Sequence, residues 1–547
     1  MVPNLATKVK GTIFEALSWW WEANNPNDQF ARTVISLSVV ILAILWYVLL
    51  KGKSHLPPGP RGLPLVGNLP FLDPDLHNYF AKLAKVYGPI FKIKLGSKLC
   101  VVLGSPVIVR EVLRDNDIIF SNRDSPRSAL AITYGGLDMA WAPYNSQWRI
   151  LRTICVQDIF SKNSLDATYI LRREEVRQTL DDIYSKINKP INIGEQMFLT
   201  MLNLLTSMLW GGKLKGEERS SLGQEFKQVI EGIVELLGKP NISDLFPVLA
   251  RFDIQGIERK MKSLLSWFDR IFDSVIDRQT KLDQANGASG SYSIENKDIL
   301  EILLMKVKDQ GDSKAPFTIT NIKALFMDIM VAGTDTTTDT VEWAMAETMK
   351  NPRIMKNIQE ELDKVVGRNK LVEEAHLLKL HYLNAVVKET FRLHPAVPLL
   401  VPRRSGDSCI VNGYAIPKGT RILVNAWSIQ RDPDRWENPL EFQPERFLRG
   451  TSKWDYSGND FRYIPFGSGR RRCVGVSLVE RMVPYVFASL LHMFEWRLSE
   501  GTDLDLSEHF GIVLKMKTPL IAIPIPRFTN PELHSLRFHS QLHKINT

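Results

Sequence analysis

Residues 466–475 read FGSGRRRCVG, and the setting of the cysteine in this stretch decides how the rest of the chain is read. Glycines at 467, 469 and 475 free the backbone around it, and arginines at 470, 471 and 472 supply positive charge. Gly467 and Gly469 can adopt φ > 0, so the chain can fold tightly back and aim amide N–H groups at a sulfur. The arginines, and the N-terminus of a helix expected after Gly475, both favour a thiolate over a thiol. Cys473 therefore reads as a pre-ionised metal ligand or nucleophile. The alternative is a solvated Arg-rich turn beside a cysteine that is only a small buried hydrophobe.

Phe466, Gly469, Arg471, Cys473 and Gly475 fit the pattern F-x-x-G-x-R-x-C-x-G, and in this the segment resembles the haem-binding signature of the cytochrome P-450 superfamily. The resemblance implies haem b with Cys473 as its axial thiolate and metal ligand, and with Phe466, Gly469 and Arg471 helping to bind it. It also implies a fold that is mainly α with small β-sheets, one large catalytic domain behind an N-terminal transmembrane helix.

With 547 residues, 44% of them hydrophobic and 24% charged, the chain has ample core for a globular protein. Its net charge of +9 is compatible with nucleic acid, a membrane surface or an acidic protein partner. No Lys/Arg block interleaves with aromatics at a recognisable motif spacing, so no nucleic acid is expected. The four cysteines, at 100, 155, 409 and 473, form no C-x-x-C pair and have no histidine cluster nearby, which argues against a closed zinc site or a disulfide framework. Such usage suits a reducing, cytosol-facing domain.

Thr33 to Leu50 is an uncharged, mostly aliphatic run of 18 residues, just long enough to cross a bilayer as a helix. It lacks the short apolar region and small flanking residues of a cleavable signal, so 33–50 is expected to be a signal anchor. The basic flank after it would keep the bulk of the chain on the cytosolic side, single-pass in the endoplasmic reticulum membrane. Residues 1–32 form a lead segment in which Ile13, Leu17 and Trp20 recur at helical spacing, compatible with a helix lying on the lipid. Residues 51–64 are basic and proline-rich; LPPGPRGLP at 56–64 cannot be helix, and it resembles the family's hinge. The catalytic domain is expected over 65–529, with a strand, turn and strand between Phe91 and Leu103. Residues 530–547 read as a flexible tail, with a histidine-bearing metal site as the alternative.

Three further constellations carry chemistry. Trp148 and Arg152, four apart, share a helix face and could present an indole N–H and a guanidinium to two carboxylates, or simply pack. From Thr320, a possible N-cap, a helical pattern of about thirty residues runs to Asn351-Pro352. At its centre stands Ala332-Gly333-Thr334-Asp335-Thr336-Thr337. Thr336 can bond back to the Ala332 carbonyl and distort the helix, leaving a groove. A close helix crossing, or a new start capped by Asp335, reads equally well. Glu389 and Arg392, three apart in KETFRLHP, face the same way on a helix that Pro395 must end.

Each of these also resembles a motif of the same family: W-x-x-x-R, A/G-G-x-D/E-T-T/S, and E-x-x-R with a later P-E-R-F, here Pro444 to Phe447. The resemblance implies haem propionates bound by Trp148 and Arg152, with Arg403 as a further cation. It implies that Thr336 donates a hydrogen bond to bound O2 while Asp335 relays protons. Glu389, Arg392 and Arg446 would form a buried structural triad. By family position Ala332, Gly333, Val397, Leu400 and Val513 would line the substrate pocket, a mainly aliphatic set that suits an apolar ligand. The implied enzyme is a monooxygenase of the plant microsomal type, with O2 as cosubstrate and NADPH electrons supplied by a cytochrome P-450 reductase. A terpenoid substrate is favoured, with a flavonoid or other phenolic as the competitor. An isomerase or dehydratase needing no reductase is the second class, against which the retained Asp335 and Thr336 argue; a non-catalytic haem carrier is the third.

Overall fold

The computed structural model describes residues 30, 33–41, 55–212, 216–285, 298–308, 316–449, 454–501 and 503–528. In it Thr318 opens a 32-residue helix, Ile319–Lys350, around which the larger unit is built. The cap lies two residues before the expected Thr320, because Thr318 and Asn321 bond reciprocally, side chain to backbone, as a capping box. Pro352 cannot continue the helix, and a new one, Pro352–Val365, starts there with proline in its first turn.

The helices that pack most extensively on this long one are Ile193–Trp210, Val476–Met493 and His381–Leu393. The first is apolar around most of its circumference, from Met197 and Leu202 to Leu205 and Trp210, as a helix sealed inside a core must be. A side chain on Gly333 would put its Cβ 3.0 Å from Leu205 Cδ1, so glycine there lets the long helix and Ile193–Trp210 cross closely.

The strands form small sheets. In the five-stranded one Ile90–Leu95, Lys98–Leu103, Arg421–Val424, Arg403–Arg404 and Asn122–Arg123 lie side by side, and only Lys98–Leu103 with Arg421–Val424 runs parallel. The expected strand pair is present, and Ile93 stands opposite Cys100. Leu56 to Pro64 holds no helix, and Lys92 donates to Pro58 O at 2.8 Å, so the proline stretch lines the edge of this sheet.

The chain divides into two compact units, Met1–Leu56 and Pro57–Thr547. In the first, residues 33–41 are helical with Val34, Leu37, Val39 and Val40 exposed; the rest of the expected anchor lies outside the described residues, as do most of the lead segment and the tail after 528. Among the described residues no helix is long and apolar enough to cross a membrane.

Candidate functional site

The loop that carries Cys473 is closed by its own backbone, the Cys473 amide donating to Phe466 O at 3.0 Å. Gly467 and Gly469 take φ of 69° and 67°, the left-handed region the loop requires. A Cβ on Gly469 would lie 2.3 Å from Leu113 O, so the loop also depends on glycine for its fit against that segment. Asp117 secures it. One oxygen of its carboxylate accepts from the Arg470 amide and guanidinium at 3.0 and 2.8 Å, the other from Arg403 at 3.1 Å. Phe466 packs edge-on against Phe391, on the helix that carries Glu389 and Arg392.

Gly475 and Val476 aim backbone N–H groups at the sulfur, and Val476 begins the helix Val476–Met493. Cys473 lies deep in the fold, yet its side chain keeps accessible surface, which places it on the wall of an internal slot. Burial pushes the thiol up from its ordinary value, outweighing the amide hydrogen bonds and the charges of Arg152 and Arg472.

On the long helix Ala332 is exposed and Thr336 half-buried although both lie mid-helix, between the buried Met330 and Thr338. Both therefore border open space inside the fold. Thr336 donates to Ala332 O at 2.6 Å, the back-bond expected of it, and the helix continues unbroken. Asp335 points elsewhere, onto the Lys515 ammonium at 2.5 Å. Val397 and Leu400 are half-buried, and Leu400 Cδ1 lies 3.8 Å from where a Cβ on Gly467 would be. The Leu514 amide donates to Ala396 O at 2.8 Å, which ties the turn holding the buried Val513 to that segment. Gly333 is placed at the helix crossing, facing Leu205.

Trp148 and Arg152 share one face of the helix Ser146–Ile154, which Asn145 caps. The Trp148 indole donates to Met139 O at 2.9 Å, and the Arg471 guanidinium stands over its ring at 4.2 Å. Arg471 donates to the carbonyls of Ser121, Met139 and Ala142, and Arg152 to that of Arg472. Arg123 had no sequence signal; it donates to Ala140 O and Val401 O and stands opposite Arg403 in the sheet. Asp117 was equally silent, because a lone acid in a helix-to-strand connection matches no pattern. Glu389, Arg392 and Arg446 meet as a triad, Arg392 at 2.7 Å and Arg446 at 3.0 Å from the carboxylate.

Among the described residues Arg123, Arg152 and Arg471 have no carboxylate within ion-pair distance, whereas Arg403 is held by Asp117. Burial and the neighbouring Arg403 charge pull Arg471 down to about 9. Burial, with Arg471 and Arg403 beside it, pulls Arg123 well below its ordinary value. A buried cluster of this kind is costly unless an anion joins it. The site thus combines a sulfur that keeps accessible surface, a helix face on which Ala332 is exposed, and guanidinium N–H groups with carbonyl acceptors only.

The sequence pattern of the Cytochrome P450 family matches residues 57–523. A flavonoid 3'-monooxygenase of Crocosmia x crocosmiiflora is 39% identical over 90% of this chain and 97% of its own. A geraniol 8-hydroxylase of Swertia mussotii is 41% identical over 87% and 94%. A zebra fish cytochrome P450 structure with progesterone superposes with a TM-score of 0.71 at 25% identity, covering 83% of this chain and all of the other. The fold and site define a haem-thiolate oxidoreductase. The chain belongs to the cytochrome P450 monooxygenase family.

Membership implies a haem, and the residues present fit one: a dianionic edge would answer the unmatched guanidinium groups, and the accessible sulfur supplies a soft ligand for iron.

Proposed function

We propose that this chain is a monooxygenase that hydroxylates or epoxidises a small apolar substrate, a terpenoid in preference to a flavonoid. The observation that carries the reading is that accessible surface inside the fold falls on Cys473 and on Ala332 and Thr336, at elements packed on one another. In this reading Cys473 holds the iron as its thiolate. The amides of Gly475 and Val476 stabilise the charge on sulfur once a metal draws off the proton. Arg471, Arg152 and Trp148 bind the propionates; Arg123 joins them, and Arg403 orients the group from its ion pair with Asp117. When bound, the haem supplies the activation of O2 and the transfer of one oxygen atom.

The protein's own task is to place the substrate and manage protons. Ala332, Val397 and Leu400 offer an aliphatic surface that orients an apolar molecule and keeps water out. Thr336 gives a proton at Oγ1 toward the slot, and Asp335 replaces it. Electrons reach the site from NADPH through a flavoprotein reductase, met by basic surface residues such as Arg149, Arg470 and Arg472. The apolar run at 33–50 anchors the domain to the endoplasmic reticulum membrane, facing the cytosol; its described part exposes Val34, Leu37 and Val40, side chains suited to lipid.

The aliphatic lining and the geraniol 8-hydroxylase relatives support the terpenoid; relatives named as flavonoid 3'-monooxygenases, at 38 to 40% identity, support the flavonoid. A Soret-band titration of the purified protein with geraniol and with a flavanone separates them. A low-spin to high-spin shift with geraniol alone is expected. A shift with the flavanone alone transfers the substrate to that class, and a wild type without a thiolate-type haem spectrum overturns the whole reading.

A further inference from the structure

Asp335, Asp339 and Glu342 lie at i, i+4 and i+7 on the helix Ile319–Lys350, so they share one face. Lys515, on the short strand Lys515–Met516, comes in over that face and donates to Asp335 Oδ1 at 2.5 Å. Asp335 and Asp339 are 3% and 5% exposed, and the Oδ2 atom of each, like Thr338 Oγ1, is buried without a hydrogen-bond partner. Glu342 is committed to the Leu520 amide at 2.8 Å. Two further charges act on the cluster from the helix Gly216–Gly238: Lys227, half-buried, and Glu231, exposed. Lys515, its side chain 27% exposed, connects this cluster beside Thr336 to solvent.

One ammonium serves two buried carboxyls a single helical turn apart. If both ionised, an uncompensated negative charge would remain inside the fold, so one proton stays with the pair. Burial, with the Asp335 charge added, pushes Asp339 well above the ordinary carboxylate range. Lys515 is raised too: burial would lower it, but Asp339 and Asp335 outweigh that. The proton belongs on Asp339 and the ammonium stays charged. The A-G-T-D-T-T motif stops at Thr337, so nothing in it calls for an acid at 339.

We propose that Asp339 is a positioning residue for the monooxygenase reaction, a buried proton holder that recharges Asp335 across Lys515 and refills from solvent on the Lys515 side. The proposal rests on the roles given above to Asp335 and Thr336. Each step moves one proton and no electrons. The Asp339 O–H bond breaks as an Asp335 O–H bond forms, Asp335 passes its proton toward Thr336, and the Asp339 carboxylate takes another from water. Each Oδ2 atom is buried with no hydrogen-bond partner, and Lys515, which donates to Asp335 and feels the charge of Asp339, links the two carboxyls.

The test uses the full-length, haem-loaded protein and its Asp339→Asn, Asp339→Glu and Lys515→Met variants. The infrared difference spectrum of wild type minus Asp339→Asn near neutral pH is expected to show a protonated-carboxyl band; a featureless difference in that region sinks the proposal. With reductase and geraniol, or the flavanone if the titration selects it, Asp339→Asn is expected to release several-fold more hydrogen peroxide per NADPH. Its solvent isotope effect on turnover should rise, and Asp339→Glu should restore coupling. Reduced carbon monoxide spectra and substrate-induced spin shifts should stay as in wild type, which a merely structural acid would not combine with lost coupling. Lys515→Met is expected to leave Asp335 drawing on the same proton and to uncouple similarly. Asp335→Asn and Thr336→Ala, expected to slow product formation about 10- to 100-fold, separate the two ideas. If they uncouple turnover and Asp339→Asn does not, only the relay falls; if none of them does, the roles of Asp335 and Thr336 fall with it.

Discussion

Arg392 grips Glu389, three residues back on the same helix, through two hydrogen bonds of 2.7 and 2.8 Å, with both side chains wholly buried. The carboxylate also accepts from Arg446 and from the Gln443 amide, and Arg392 spends its remaining N–H groups on the carbonyls of Gln430, Pro439 and Glu441. Every polar atom of the pair is thus answered, which is the condition under which a buried ion pair is tolerable. Arg392→Ala would strand a carboxylate and is expected to destabilise the fold by about 3–5 kcal/mol. Arg446→Ala should cost less, since Arg446 is the more exposed partner. Denaturant unfolding of the three proteins checks this. A loss for Arg392→Ala of under about 1 kcal/mol would show that the pair behaves like a surface one.

Two glycines of the cysteine loop should respond in opposite ways. Gly469 has φ of 67° and no room for a Cβ, which would lie 2.3 Å from Leu113 O and 2.8 Å from Asp117 Oδ1. Gly469→Ala must displace backbone; we expect a cost of about 1–3 kcal/mol and loss of the thiolate-type reduced carbon monoxide spectrum. Gly475 has φ of −78°, and its Cβ would meet only Cys473 Sγ, at 3.8 Å. Gly475→Ala should keep that spectrum. Equal spectra from both variants would contradict the contact geometry.

Acid should loosen the fold through Glu508. Burial alone would raise its carboxyl, but the close His394, 3.4 Å away, the hydrogen bond with His77 and the Arg431 charge outweigh that and hold it well below the usual carboxylate range. A folded-state pKa below the unfolded one gives stability that is present above about pH 4.3, the unfolded value, and lost as pH falls further. Unfolding midpoints should be flat with respect to this group from neutral to about pH 5 and drop below that. Glu508→Gln should be weaker near neutrality and lose part of the acid-side slope; an unchanged slope would remove Glu508 from the account.

Substrate fit should be sensitive at Ala332. Ala332 is exposed although it lies mid-helix, so Ala332→Phe adds bulk on the face proposed to meet the substrate. The substrate-induced spin shift should weaken at least about tenfold in affinity while the reduced carbon monoxide spectrum stays intact. Unchanged binding would move the substrate away from this helix face.

What the sequence by itself determined is local. Glycines at 467 and 469, the back-bonding Thr336, the three-residue step from Glu389 to Arg392 and the proline stop at 352 each act within a turn or two, so their consequences follow from spacing and backbone sterics. The resemblance then orders these pieces into one family. Tertiary structure decided what depends on partners distant in the chain. Asp117 neutralises Arg403 from 286 positions away, Arg123 joins the arginine cluster through strand register, and Lys515 meets Asp335 across 180 positions. It also set what acts on the free Cys473 thiol, where burial pushes it up against the charges that adjacency alone would credit. Desolvation and long-range pairing depend on what the whole fold brings near a group, and no window of sequence contains that.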